Sequence, residues 1–207
     1  VGAKLKIPVA HVEAGLRQEP KDMPEETNRV LTDRISTFLF CPTKLAVDNL
    51  KKENITKGVH FVGDVMYDLF LKIKNTTDTE QVIKKFKLEK QKYIILTIHR
   101  DFNTDNINRF EKILKAIREI SFKETVLFPI HPRTKKCIKA YGFEDYIQKC
   151  QVIDPFGYTD LMALLSHSKC VITDSGGLQK EAYFAGVHAL VLMVDTGWKE
   201  LEEIGWN

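Results

Sequence analysis

An α/β protein whose parallel sheets are covered by helices on both faces is the fold class this sequence predicts. Two observations predict it. Apolar runs of strand length recur along the chain, and between them lie stretches of helical period opened by helix-start signals. Strand, helix, strand, helix is the order that parallel pairing requires, because each return to the same edge needs a crossover.

The chain opens in "VGAKLKIPVAHVEAG", a helix end running into a strand at 8–13. "MPEETNRVLTDRIS" follows, with Pro24 at a first helical position and Glu25 and Glu26 in the first turn. A strand is expected at 37–41, then a helix in "TKLAVDNLKKENI" with Thr43 as its N-cap, then a strand at 59–62. Residues 72–92, "KIKNTTDTEQVIKKFKLEKQK", are the least apolar and most charged stretch and read as a long helix with a linker. The domain boundary is placed there, giving a first domain over 1–72 and a second over 73–207. Beyond it come a strand at 93–98 and a helix in "NTDNINRFEKILKAIREI", whose Ile107, Phe110, Ile113, Leu114, Ile117 and Ile120 share one face. Strands at 125–130, 150–153, 169–173 and 189–194 complete the pattern. Three strands before the boundary are too few for a complete doubly wound sheet, so a piece of the first domain is expected upstream of Val1.

Composition narrows the function. The 207 residues are 43% apolar and 29% charged, ordinary for a globular chain. The net charge of +3 is small and its cations are scattered among acids, so no nucleic-acid partner is expected. Cys41, Cys137, Cys150 and Cys170 lie far apart without a C-x-x-C pair, which suits free thiols in a reducing cytoplasm. No apolar run nears the ~20 residues that span a bilayer, and no charged-then-apolar leader opens the chain, so no membrane association is expected. The six histidines show no ligand spacing and no H-E-x-x-H, so no metal is expected. "DSGG" lacks the G-x-S-x-G elbow of a serine hydrolase.

Chemistry gathers where strands end. "VITDSGGLQKEA" runs from strand to small residues to helix, the order in which backbone N–H groups at a helix N-terminus meet an anion. Gly176 and Gly177 let a phosphate approach the backbone, Ser175 adds a hydroxyl, and Glu181 lies one to two turns in, within reach of ribose hydroxyls. A tight turn with Asp174 or Ser175 as an ordinary N-cap explains the same residues equally well. The stretch is neither G-x-G-x-x-G nor G-x-x-x-x-G-K-[ST], which argues against nicotinamide cofactors and the usual ATP loop. "LTIHRDFNTDN" ends a strand on His99 and Arg100, and "LFPIHPRT" ends another on His131 and Arg133. An Arg fork beside an imidazole suits a phosphate. Two such pairs plus the Ser-Gly-Gly turn favour an anionic ligand. Near the start, "HVEAGLR" places His11, Glu13 and Arg17 at another strand end, with "PEE" opening the next helix. Two acids from neighbouring loops suit general acid and base work, although Glu25 and Glu26 in a first helical turn more often merely complement a helix dipole.

Taken together, "HVEAGLR", "MPEETNR", "HR..NTDN", "HP.T", "TDSGGLQKEA" and the "GW" pairs near the end resemble the UDP-N-acetylglucosamine 2-epimerase family, of glycosyltransferase-B (GT-B) type fold, over nearly the whole chain and in the right order. The resemblance implies two Rossmann-like domains with parallel sheets, the first incomplete at its N-terminus, and a UDP-sugar held mainly by the second. Ser175, Gly176 and Gly177 would cradle the pyrophosphate and Glu181 the ribose. His99 matches the family's active-site histidine and Arg100 its neighbour, while Glu13 and Glu25 match active-site carboxylates. Arg100 and His131 match positions implicated in a second, activating UDP-sugar, which favours the non-hydrolysing type. No cofactor is implied, and a homodimer is.

The implied reaction removes the C2 proton while UDP leaves C1, then readds UDP with a proton delivered to the other face, giving UDP-N-acetylmannosamine. A weakly acidic C–H needs a close carboxylate, reprotonation needs a second acid, and departing UDP needs cations and N–H donors. Three other activities stay open: a hydrolysing epimerase that releases N-acetylmannosamine, a glycosyltransferase on the same fold, and a nucleotide-sugar-binding module. The chain also departs from the family pattern. Phe102 stands where Glu is usual after "HR", and Val194 and Gly197 replace Arg and Glu of the usual "R-D-x-T-E" run.

Overall fold

The structure, a computed structural model, describes every residue of the chain except Pro20 and Asp22. It divides into two compact units, one made of Val1–Leu69 with Val194–Ile204 and the other of Phe70–Met193 with Gly205–Asn207.

In the first unit β1 (Ala10–Val12), β2 (Phe38–Cys41) and β3 (Val59–Phe61) form a parallel sheet in that order. Helix α1 (Pro24–Ile35) connects β1 to β2, and α2 (Lys44–Lys52) connects β2 to β3. Pro24 opens α1 as its composition predicts, and the Thr43 hydroxyl accepts from Ala46 N at 3.1 Å to cap α2. Leu39 and Cys41 alternate inward along β2 and are buried, as are Leu50 and Ala46 of α2 and Ala14 and Leu16 of the loop after β1. Segment 194–204, assigned from sequence to the second domain, belongs to the first unit. There the Asp195 carbonyl accepts from Gln18 Nε2 at 3.0 Å, the Asp195 carboxylate accepts from Glu19 N at 2.6 Å, and Leu201 is buried.

Helix α3 (Val65–Thr76) begins in the first unit and ends in the second, where α4 (Thr79–Lys85) follows. The charged stretch 72–92, expected as a long helix with a linker, holds the end of α3 and all of α4, because the Asp78 side chain accepts from Gln81 N at 3.1 Å and starts a new helix. The sheet of this unit takes β4 (Tyr93–Thr97), then α5 (Asp101–Thr104), α6 (Ile107–Ser121), β5 (Thr125–Pro129), α7 (Pro132–Tyr141), β6 (Gln151–Ile153), α8 (Tyr158–Leu165), β7 (Cys170–Thr173), α9 (Gly176–Ala185) and β8 (Ala189–Val191). The helix expected over 103–120 starts at Ile107 because Asn106 caps it, accepting from Arg109 N at 3.1 Å. A final short helix, α10 (Lys199–Glu203), lies in segment 194–204.

All five strands are parallel, in the order β6-β5-β4-β7-β8. Alternation along the strands feeds two cores. Tyr93, Ile95, Leu127 and Val171 join Leu164, Leu178 and Ala182 on one face, while Ile94, Leu96, Val126, Phe128 and Ile172 join Phe110, Leu114, Ile117 and Ile138 on the other. Both faces are covered, so strands here read as continuous apolar runs. The chain enters at the central β4, winds outward through β5 and β6, and then returns to build the other edge. The crossovers diverge between β4 and β7, and in open α/β sheets the crevice at that point, beyond the carboxyl ends of the strands, is where ligands bind.

Candidate functional site

The residues after β4 and β7 meet at that crevice, and a buried carboxylate ties them together. Asp174 follows β7 and is fully buried. Its oxygens accept from His99 N at 3.0 Å, Arg100 N at 2.9 Å and Asn103 Nδ2 at 3.0 Å, and the His99 Nδ1 lies 2.9 Å from Oδ1. Burial alone would push this carboxyl up, but the bonds from His99, Asn103 and the Arg100 N–H outweigh it and hold Asp174 below the usual carboxylate range. Asn103 also donates to the Leu192 carbonyl at 3.0 Å and accepts from Arg109 Nε at 2.7 Å, fixing the amide that serves Asp174. The His99 side chain remains 38% exposed, so its ring is anchored at one nitrogen and accessible to solvent.

Beside it α9 begins. Ser175 Oγ accepts from Leu178 N at 3.4 Å, and Ser175 N donates to Thr173 Oγ1 at 2.9 Å. The capping alternative from sequence is therefore realised for the hydroxyl. It does not compete with the anion alternative, which uses the first-turn N–H groups of an α-helix and the close approach that Gly176 and Gly177 allow. Glu181, in the second turn, is buried. Desolvation pushes its carboxyl up, opposed by the Tyr158 hydroxyl. His131 ends β5 and caps α7, its Nδ1 accepting from Arg133 N at 3.2 Å, and its ring centroid is 6.0 Å from that of His99. Arg133 is spoken for by Asp105, 2.5 Å away.

The first unit holds a second constellation. Glu13 follows β1 with φ +65°, in the left-handed region that costs a non-glycine residue about 1–3 kcal/mol. Its Oε1 is buried, with no hydrogen-bond partner among the described residues. The loop carrying it is held by Asp33, fully buried on α1, which lies 2.6 Å from His11 Nδ1 and accepts from Gly15 N at 3.2 Å and Arg17 Nη1 at 2.8 Å. Burial opposes ionisation of Asp33, and the bonds from His11 and Arg17 overcome it and hold the group below the carboxylate norm. Glu53 completes the network, taking Arg17 Nε at 2.5 Å and Nη2 at 3.0 Å as a bidentate pair. Of the two acids in "PEE", Glu25 is exposed and Glu26 is buried, accepting from Gln18 N at 3.1 Å. A cavity of about 710 Å³ opens among Arg17, Gln18, Glu26, Arg34, Asn49 and Glu53. Within this lining Arg17 pairs with Glu26 and Glu53, and Arg34 pairs with Glu53, while neither Glu13 nor Glu25 lines it.

Within the second unit the structure brings His99, Arg100, His131 and the Ser175–Gly177 turn to one end of one sheet, with Glu181 on α9. Glu13 and Glu25 belong to the first unit. Sequence reasoning missed the organising roles of Asp174, Asn103 and Asp33. The signal for Asp33 was present, since Glu26, Val30 and Asp33 recur at helical spacing and place two acids on an inward face. Among the described residues no group of three metal-ligating side chains occurs, and no helix is long and apolar enough to cross a membrane.

Comparison with known proteins adds the family. The model of the UDP-N-acetylglucosamine 2-epimerase family matches residues 1–207, the entire chain. The chain belongs to that family. Among relatives, the UDP-N-acetylglucosamine 2-epimerase homolog of Methanococcus maripaludis is 44% identical over 211 residues, spanning all of this chain and 58% of its own length. The UDP-2,3-diacetamido-2,3-dideoxy-D-glucuronate 2-epimerase of Pseudomonas aeruginosa is 42% identical, over 99% of this chain and 57% of its own. The crystal structure of the Methanocaldococcus jannaschii UDP-GlcNAc 2-epimerase in complex with UDP-GlcNAc and UDP superposes with a TM-score of 0.90 at 40% identity, over 100% of this chain and 59% of that one. This epimerase-family chain therefore spans a little under three fifths of the length of the relatives it matches. Its two parallel α/β units are Rossmann-like, as the resemblance implied, and the matched structures carry the GT-B type fold.

Proposed function

We propose that this chain carries the site of a UDP-N-acetylglucosamine 2-epimerase of the non-hydrolysing type. The observation that carries the reading is the convergence of His99, Arg100, His131 and the start of α9 at the carboxyl ends of β4, β5 and β7, where the strand order reverses. Cations, imidazoles and helix N–H groups at one point suit a pyrophosphate, and the buried Glu181 suits a ribose diol.

In the reaction, a carboxylate takes the C2 proton, the C1–O bond breaks with its electron pair going to UDP, and a glycal-type intermediate remains. UDP oxygen then attacks C1 while a second acid delivers a proton to the opposite face of C2, so nothing is consumed and no redox partner is needed. Glu13 fits the proton-transfer role, because it follows a strand end in a left-handed conformation and its buried Oε1 has no hydrogen-bond partner among the described residues. Glu25 supplies the second carboxylate in this assignment. Positive charge and N–H donors at His99, Arg100 and the Ser175–Gly177 turn stabilise departing UDP. Arg100 and His131 also serve a second UDP-sugar as activator in this reading. A homodimer in the cytoplasm completes the proposal.

A second substrate is favoured by one observation. The Pseudomonas aeruginosa relative is as similar as those named for UDP-N-acetylglucosamine, and it is named for a diacetamido uronate. Proton NMR of each UDP-sugar incubated with the protein in D2O tests both. New manno signals with deuterium at C2 and UDP attached support the proposal, and which sugar reacts assigns the substrate. Free N-acetylmannosamine would reassign it to the hydrolysing type, and turnover only with an added acceptor to a transferase. Binding without turnover would leave a nucleotide-sugar module.

A further inference from the structure

We propose that Asp174 is a positioning residue that fixes His99 in its Nδ1–H form, so that every proton gained or lost by the ring moves at Nε2. As it concerns the same site, the inference rests on the UDP-sugar reading for what Nε2 faces, and on geometry alone for the state of the ring.

Donors and acceptors around Asp174 decide the state of the ring. An ionised carboxylate only accepts hydrogen bonds, and a neutral imidazole has one nitrogen of each kind. Asp174 already accepts from His99 N, Arg100 N and Asn103 Nδ2, all of which can only donate. Three fixed donors around a buried carboxyl favour the ionised form. The ring nitrogen 2.9 Å away must then carry the hydrogen. Asn103 cannot turn its carbonyl toward Asp174, because that oxygen accepts from Arg109 Nε at 2.7 Å while its NH2 also serves the Leu192 carbonyl at 3.0 Å. The neighbours therefore lock both the charge of Asp174 and the direction of the bond to His99. The backbone N–H of the same histidine binds the same carboxylate, so ring and main chain are held as one piece.

The consequence concerns phosphate chemistry. With Nδ1 occupied, the neutral ring presents a lone pair at Nε2 and the charged ring presents an N–H there. One atom thus alternates between acceptor and donor with no ring flip, which suits a group that holds a diphosphate while it departs and while it returns.

The experiment is nitrogen NMR of 15N-histidine-labelled protein across pH, on the chain as it stands, for wild type and Asp174→Asn, with UDP titrated into each. In wild type the His99 Nδ1 is expected to stay protonated throughout, with only Nε2 titrating. In D174N the Nδ1–H preference is expected to be lost, with UDP affinity about ten- to hundredfold weaker, the scale of one hydrogen bond to a charged group. A neutral wild-type ring protonated at Nε2 overturns the proposal whether or not the variant folds. So does a folded D174N whose tautomer is unchanged, even if its backbone amide signals move, since that is what a merely structural aspartate would produce. The ring state is read without turnover: an Nδ1–H histidine in a protein that epimerises nothing would sink the epimerase reading and leave this inference standing.

Discussion

Gly15 lies in the middle of "HVEAGLR", with φ +80°, and a Cβ built on it would stand 2.3 Å from the Ala46 carbonyl oxygen, 2.8 Å from the Ala46 carbonyl carbon and 3.1 Å from Leu50 Cγ. The first two are backbone atoms of α2, which no rotamer change can move. Gly15→Ala therefore incurs two penalties: about 1–2 kcal/mol for a left-handed residue with a Cβ, and about 1–3 kcal/mol for prising α2 from the loop. Gly63 isolates the first, since it lies in the same unit with φ +83° and its Cβ would meet nothing within 4 Å. We expect G15A to lose about 2–5 kcal/mol and G63A about 1–2, read by hydrogen exchange of first-unit amides, because a chain of two units has no single two-state transition. The functional readout follows the same geometry. Glu13 precedes Gly15 by two residues and Gly15 N is bonded to Asp33, so G15A is expected to cut turnover more than tenfold while UDP binding by the second unit is unchanged. If G15A falls within about 0.5 kcal/mol of G63A, the close approach of loop and helix is not a constraint and the reasoning fails.

Three further outcomes follow from the buried acids. Asp33→Asn takes the shared carboxylate from His11 and Arg17, leaving Arg17 to Glu53, and should cost about 1.5–3 kcal/mol, visible as faster hydrogen exchange of first-unit amides. Asp33 and Asp174 both have folded pKa values below the unfolded value of about 3.9, so their stabilisation is complete at neutral pH and is lost as pH falls through the folded values. Amide protection in each unit should accordingly fall below about pH 4, and D33N should show a smaller fall in the first unit; protection unchanged down to about pH 3 would contradict both assignments. Glu181 has the opposite sign: burial raises it, so its contribution is present below the unfolded value and disappears as pH rises through the folded one. Glu181→Gln should thus leave stability at pH 7 unchanged or up to about 1 kcal/mol higher, while calorimetry finds UDP bound about ten- to hundredfold more weakly. Unchanged affinity would remove Glu181 from the ribose.

What was legible in the sequence, and what was not, follows from whether a buried position is apolar or polar. Strands such as 93–97 and 125–129 declared themselves because both sheet faces are buried and every position is apolar. The positions of His99, His131 and Ser175 at strand ends were legible, because each stands directly after an apolar run. Helix breaks at Asp78 and Asn106 were misjudged for a local reason: an Asx side chain can cap a helix or decorate one, and only the backbone it bonds decides. The buried aspartates were missed for a different reason. Asp174 binds groups 71 to 75 residues away and Asp33 binds groups 16 to 22 residues away, so no local pattern reports their partners. Each is a costly charge in a core, tolerated because it is fully bonded, and each fixes a histidine and the loop next to a residue assigned here to chemistry. A site that must hold reacting groups within a fraction of an ångström cannot rely on mobile surface contacts, so its supports are buried polar groups, which periodicity hides among the apolar positions they interrupt.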